Sequence, residues 1–200
     1  MDAITGLMMS SLEGEGEALA RTLRDRDPDA LDLLIELYHY RLLRYLLYLT
    51  RNRETAEDIF QETWIRVLER GHQYNGKTKF ETWLFAIARH LLIDRLRRER
   101  PRVSLESLLD PDDVHSPVDF AFSGAPLAPA RIAQKEEGDQ LVAALGRLPA
   151  ASREAIMLRY QEDLSLEEIA AITSAPLSTV KSRIYRGLEI LRGSVNRGRP

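Results

Sequence analysis

The chain contains no cysteine, which excludes a disulfide framework, a thiolate zinc site and a thiol nucleophile. Long apolar runs are missing too: no uncharged hydrophobic stretch approaches the ~20 residues needed to cross a bilayer. The first twenty residues hold acids (Asp2, Glu13, Glu15, Glu17) and no base, unlike the basic start of a secretory signal, so a cytoplasmic protein is expected. The histidines His39, His72, His90 and His115 are scattered without zinc spacing. Gly-rich phosphate loops and nucleophile elbows are absent. One Glu-x-x-His pair, Glu36 to His39, has the spacing of carboxylate-bridged di-iron bundles, but such a site needs two of these motifs and two further glutamates. Neither a metal nor a cofactor is expected, and an enzyme is disfavoured.

What is present is enough for folded cores. The 200 residues are 44% hydrophobic, a length that suits one domain or two small ones. Lys and Arg total 28 against 31 Asp and Glu, a net charge of −3, which taken whole argues against a nucleic-acid partner. Its distribution reverses that. Residues 71–103 carry eight bases and three acids, residues 104–138 two bases and seven acids, and residues 166–200 six bases and three acids. Two basic blocks thus flank an acidic one, as in chains that divide their tasks along the sequence. Five of the nine prolines (Pro101, Pro111, Pro117, Pro126, Pro129) fall within 101–129, and the segment 101–137 reads as an extended linker.

The flanking segments have helical periodicity and no convincing strand alternation. Leu31, Leu34, Ile35, Tyr38, Leu42, Tyr45, Leu46 and Leu49 place one long amphipathic helix over 28–50. Thr55-Ala-Glu-Asp58 has the form of a capping box and opens a second helix with Ile59, Phe60, Thr63, Trp64, Val67 and Leu68 on one side. Thr78-Lys-Phe-Glu81 opens a third, striped by Phe80, Trp83, Leu84, Ile87, Ala88, Leu91 and Leu92; Trp83 follows the stripe and reads as core. After the linker, Ser152–Tyr160 reads as a short amphipathic helix. Ser165-Leu-Glu-Glu168 is another capping box, opening Leu166–Ile172. Leu177–Arg192 follows a break at Thr173-Ser-Ala-Pro176, with Val180, Ile184, Leu188 and Leu191 facing inward. The fold class is all-α: an acidic tail over 1–20 (partly ordered), a helical domain over 21–100, the linker, and a smaller helical domain over 138–196.

A short helix, a tight turn and a longer basic helix make a helix-turn-helix, whose second helix enters the major groove. The side chains placed there are Thr179, Lys181, Ser182, Arg183, Tyr185 and Arg186, able to meet guanine edges and phosphates.

Three motifs in order carry a family resemblance. Leu164-Ser-Leu-Glu-Glu-Ile-Ala170 with Thr179-Val-Lys-Ser-Arg-Ile-Tyr-Arg186 resembles region 4 of the sigma-70 superfamily, and Leu148-Pro149 with Arg153 fits its start. Ala56-Glu-Asp-Ile-Phe-Gln-Glu62 resembles region 2.2, and the run from Trp83 to Arg98 resembles regions 2.3 and 2.4. The two-domain extracytoplasmic-function group is the most similar. The resemblance implies a factor that binds core RNA polymerase, directs it to promoter DNA and opens the duplex without covalent chemistry. It implies that Asp58, Gln61, Glu62 and Arg66 dock on the clamp helices of the largest subunit, and that the flap of the second-largest subunit is a further contact. The loop Gly71–Lys79, with Tyr74, Asn75, Lys77 and Lys79, would capture a flipped base of the −10 element. Arg89, His90, Arg95, Arg97 and Arg98 would lie along that strand, and the helix-turn-helix would read the −35 element. An anti-sigma factor is an implied partner. The linker would thread towards the polymerase active centre, where its acidity suits a channel built for a polyanion. His90 stands where the family has Asn, Ser174 where the turn often has Gly, and Ser178 where Gly is frequent and Ser can cap. A one-component regulator with the same helix-turn-helix is the alternative reading.

Overall fold

The structure is a computed structural model that describes residues 12–99 and 144–195. The linker 101–137 lies outside the described residues, as do the first eleven. All regular elements among the described residues are helical.

Helix α1, Leu12–Asp25, runs across the expected boundary at residue 20, so the second half of the acidic tail is a helix. Its inner residues Ala20 and Leu23 are buried, which supplies the packing that keeps a short helix folded. Helix α2 covers Pro28–Thr50, as its periodicity predicts. Pro28 occupies the first turn, where its missing N–H costs nothing, and the Asp27 carboxylate accepts the Asp29 N–H at 3.1 Å. Arg51, at φ 50°, ends the helix in the left-handed region.

Helix α3, Arg53–Arg70, starts earlier than its sequence signal suggests. Asn52 is the cap, its Oδ1 accepting the Thr55 N–H at 2.9 Å. Asn ranks at or above Thr as a cap, so Thr55 falls inside the first turn. Leu68 does not join the buried side with Ile59, Thr63, Trp64 and Val67; it is exposed. Helix α4, Phe80–Glu99, begins two residues after Thr78. The Thr78 carbonyl is instead taken by the Tyr74 hydroxyl at 2.7 Å.

Among the described residues after the linker stand the helices α5, Ala150–Tyr160, α6, Leu166–Thr173, and α7, Leu177–Val195. The Ser165–Glu168 capping box opens α6 as expected, with both reciprocal hydrogen bonds present. Ser174 takes up φ 51° at its end, a strained position for a residue with a Cβ. Since α7 starts at Leu177, Ser178 lies in its first turn and Pro176 precedes it; Ser178 is not its cap. Helix α5 departs from the amphipathic reading. Every residue from Ser152 to Leu158 is buried, because α7 packs on one side and α2 lies on another. A Cβ at Gly187 of α7 would sit 2.4 Å from the Ile156 Cδ1 of α5, so glycine there permits that approach.

The two expected helical units are both present, and they touch. One apolar cluster contains Tyr38, Leu42, Tyr45, Leu84, Phe85, Ala88 and Leu92 from the first and Ala150, Leu158, Leu164, Ile169 and Ile172 from the second. Helix α6 packs against α4, and α5 against α2. Burial of each large apolar side chain contributes roughly 1.5–3 kcal/mol, so this contact is a substantial part of the fold.

Candidate nucleic-acid interface

Helix α7 is fixed by its apolar side and offers the other. Val180 and Ile184 are buried, whereas Leu188 and Leu191 are only half-buried. Lys181, Ser182, Tyr185 and Arg186 are exposed on the opposite side, with Tyr185 74% exposed; Thr179 and Arg183 are half-exposed. The Ser182 hydroxyl donates to the Thr179 carbonyl at 3.0 Å, so towards an outside group it is first an acceptor. Exposed cations and a phenol on one helix face suit a groove wall of phosphates and base edges.

The loop before α4 is built differently from the sequence expectation. Tyr74 is not an exposed stacking residue; it is 2% exposed. Its ring lies against Phe80 and Trp83, with centroids at 5.7 and 5.3 Å. Burial and then the Glu81 carboxylate push its hydroxyl up to about 12. Trp83 is half-buried in this cluster, in keeping with a core role. The same loop displays Asn75, Lys77 and Lys79 to solvent. The Asn75 Oδ1 accepts the Lys77 N–H at 3.0 Å, which leaves the amide NH2 as its outward donor. Gly76, at φ 72°, touches α1: a Cβ on it would lie 2.5 Å from the Gly16 carbonyl carbon. Only glycine fits that crossing.

Along α4, neighbouring cations have opposite fates. His90, Arg97 and Arg98 are exposed. Arg89 is 3% exposed, and its Nε donates to Glu154 Oε1 of α5 at 2.8 Å. Arg89 therefore faces no DNA in this arrangement. Lys79 is 3.3 Å from Glu168 of α6. Arg95 donates to Asp58 at 2.8 Å.

The outer row of α3 stands as the periodicity predicts. Asp58 and Gln61 are exposed, and Glu62 and Arg66 are half-exposed. Glu62 and Arg66 pair at 3.0 Å, and Arg66 reaches Glu69 at 3.6 Å. Exposed pairs of this kind contribute about 0–1 kcal/mol, so a protein partner can exchange them for its own. Exposed Ile65 and Leu68 share this helix.

Sequence reasoning misses the charged residues between the two units. The Tyr45 hydroxyl also donates to Glu154 Oε1, at 2.8 Å. Arg41 and Arg44 both donate to Glu162, at 2.6 and 3.0 Å, and an Arg51 N–H donates to the Gly146 carbonyl. The signal available was Arg153 and Glu154 directly before the apolar run Ala155–Leu158. The Glu36–His39 pair has no second motif beside it. The His39 ring packs edge-on to Phe60 at 4.8 Å, and no metal-binding cluster of three occurs among the described residues. No helix among them is long and apolar enough to cross a membrane.

Among known protein families, Sigma-70 region 2 matches residues 34–102, and Sigma-70, region 4 matches residues 138–191. The ECF RNA polymerase sigma factor SigX of Bacillus subtilis is 33% identical over 168 residues, covering 82% of each chain. SigW of the same organism is 30% identical over 86% of this chain and 92% of its own. SigE of Mycolicibacterium smegmatis is 38% identical over 80% of this chain and 60% of its own length. Among solved structures, the fold is similar to that of the sigma factor RpoE of Bartonella quintana in complex with the anti-sigma factor NepR. The TM-score is 0.63 and the identity 24%, over 84% of this chain and 98% of the other. CnrH in complex with the cytosolic domain of CnrY gives a TM-score of 0.61 at 18% identity, over 94% of this chain and all of the other.

Proposed function

The chain belongs to the extracytoplasmic-function sigma factors of the sigma-70 family, and from that premise we propose how its parts divide the work of an alternative sigma factor. Helix α7 reads the duplex −35 element with Lys181, Arg183, Tyr185 and Arg186, while Thr179 and Ser182 meet the backbone. The loop over 71–79 and helix α4 handle the −10 element. Asn75 and Lys77 stand at the loop tip, with Lys79 beside them. His90, Arg97 and Arg98 form the phosphate track, with Arg89 joining it when it leaves Glu154. Tyr74 positions the loop from beneath rather than stacking on a base. Asp58, Gln61, Glu62 and Arg66 of α3 dock core RNA polymerase, chiefly its largest subunit, with the flap of the second-largest subunit meeting the other unit. Similarity to sigma factors solved with anti-sigma factors supports an anti-sigma partner as well.

The observation that carries this reading is the two-sided helix α7, whose apolar side is locked by Val180 and Ile184 while Lys181 and Arg186 stand in solvent. The region 2 match over 34–102 disfavours the one-component regulator, which has no use for a polymerase-docking helix. The test is transcription in vitro from cognate promoter DNA with purified core polymerase and this chain as the sole added factor. Promoter-specific transcripts are expected. Their absence without a second sigma factor, with the chain binding its duplex site unaided, would restore the regulator.

A further inference from the structure

Helix α1 lies along the loop assigned to the −10 element and meets it at two points. It packs against the 3-10 turn Gly71–Gln73 at the loop's start. There a Cβ on Gly71 would stand 3.1 Å from the Leu23 carbonyl oxygen and 3.2 Å from the Leu23 Cβ. At the loop's tip a Cβ on Gly16 would stand 2.5 Å from the Gly76 carbonyl oxygen. Ala20 and Leu23 are buried, which fixes α1 on the body of the first unit. Gly16 lies inside the helix Leu12–Asp25, where glycine is less favourable than alanine because it gives up more backbone freedom on folding. The helix by itself has no use for it; the crossing with the loop has.

We infer that α1 is a splint for this loop, and that Gly16 and Gly71 are positioning residues for promoter opening. The inference rests on the reading of loop 71–79 given above. Gly16 and Leu23 are seven residues apart on one helix, so roughly 10 Å apart along its axis. The five residue steps from Gly71 to Gly76 could extend to about 17 Å. The two crossings thus hold the segment bent. Within the bend the Tyr74 hydroxyl donates to the Thr78 carbonyl at 2.7 Å, and the Asn75 Oδ1 accepts the Lys77 N–H at 3.0 Å. These bonds set the loop's own shape, and α1 sets where its tip stands. Asn75 and Lys77 flank Gly76 and are exposed, so a displacement of Gly76 displaces both. A base that leaves the duplex pays unstacking energy and must be met by groups already in place. A shift of about 1 Å in such groups changes rates by an order of magnitude or more.

The test uses holoenzyme assembled from core polymerase and the full chain, on promoter DNA carrying 2-aminopurine in the non-template strand of the −10 element. The probe's fluorescence reports unstacking. Its rate against holoenzyme concentration separates closed-complex affinity from the opening step. Gly16→Ala raises the helix propensity of α1, so a slower opening step in this variant comes from the crossing and not from a weaker helix. It is expected to slow opening about tenfold with closed-complex affinity unchanged. Gly71→Ala meets the milder contact and is expected to slow opening about threefold. Rates are taken per active holoenzyme, which a loss of stability alone does not alter. Unchanged opening in Gly16→Ala, or a lower active fraction with a normal rate, would overturn the splint. An equal loss of closed-complex affinity counts against it as well, since the loop meets DNA only when the duplex opens. Should Gly16→Ala fail to fold, Gly71→Ala decides, and a normal opening rate there rejects the proposal. Asn75→Ala combined with Lys77→Ala, in the same assay, separates this failure from that of the loop reading. Slow opening there with normal opening in the glycine variants removes the splint alone; normal opening in all of them removes the loop reading too.

Discussion

Single residues in unusual backbone positions give the sharpest expectations. Ser174 closes α6 at φ 51°, where an L-residue is strained by roughly 1–2 kcal/mol, less the entropy that glycine adds to the unfolded chain. Ser174→Gly is therefore expected to stabilise the protein by about 0.5–1 kcal/mol in urea unfolding, without weakening promoter binding, because its side chain is not among the α7 residues that face DNA. Gly76 is the opposite case. It combines φ 72° with a neighbour, Gly16, too close for any Cβ. Gly76→Ala is expected to cost about 1–3 kcal/mol, the usual range for a strained backbone position, read by thermal unfolding. It should also weaken −10 melting in permanganate footprints, since the same loop holds Asn75 and Lys77. A loss of stability with normal melting would show that α1 supports the fold but not the loop's function.

At the scale of elements, helix starts matter most. Asn52 satisfies an end of α3 that Thr55 does not, so Asn52→Ala is expected to cost about 1 kcal/mol and Thr55→Ala much less, as measured by chemical denaturation. Glu168 does two jobs at the start of α6. Burial pushes its carboxyl up, but the hydrogen bonds with Ser165 and the nearby Lys79 ammonium outweigh that, and the net shift is downward. A carboxyl held lower in the folded state than in the unfolded one contributes stability above the ordinary glutamate value of about 4.3, and loses it as pH falls through the folded value. The melting temperatures of wild type and Glu168→Gln should therefore differ at neutral pH and converge in acid. A gap that persists in acid would mean that packing, not charge, is what the glutamate provides.

For the whole molecule, the net charge of −3 conceals where cations stand. On α7, Lys181 and Arg186 are exposed together. Replacing both with Ala is expected to lower promoter affinity of the holoenzyme and to reduce the slope of log affinity on log salt by roughly one for each phosphate left unpaired. Filter binding at several salt concentrations would measure it, and an unchanged slope would take these two residues off the phosphates. The shared apolar cluster sets a further expectation at this scale. Two small units with one core should unfold together in calorimetry, and Glu154→Gln, by leaving Arg89 buried without its charge partner, should split or broaden that transition.

The sequence by itself determined the elements and the family. Helix α2 stands where its apolar spacing puts it, the Ser165–Glu168 box opens α6, and the α7 pattern separates a buried side from a cationic one, because these signals are local and set by helix geometry. Which of two adjacent caps wins, Asn52 or Thr55, was less legible, since both are competent and only packing fixes where the turn begins. The tertiary structure alone decided the fate of Tyr74 and Arg89. Each stands in a motif that reads as surface-facing, and each is buried: one beneath a loop by Phe80 and Trp83, the other against Glu154, distant in sequence. Tyr74 is turned onto near neighbours by the path of its loop, which helix periodicity does not specify. Arg89's burial depends on which faces meet across the linker, and partners at long sequence separation leave no periodic trace in a residue's own segment. The same reason hid Glu154 and Glu162. A charge inside a helix is legible as unusual, but its meaning is set only by the cation that the fold carries to it.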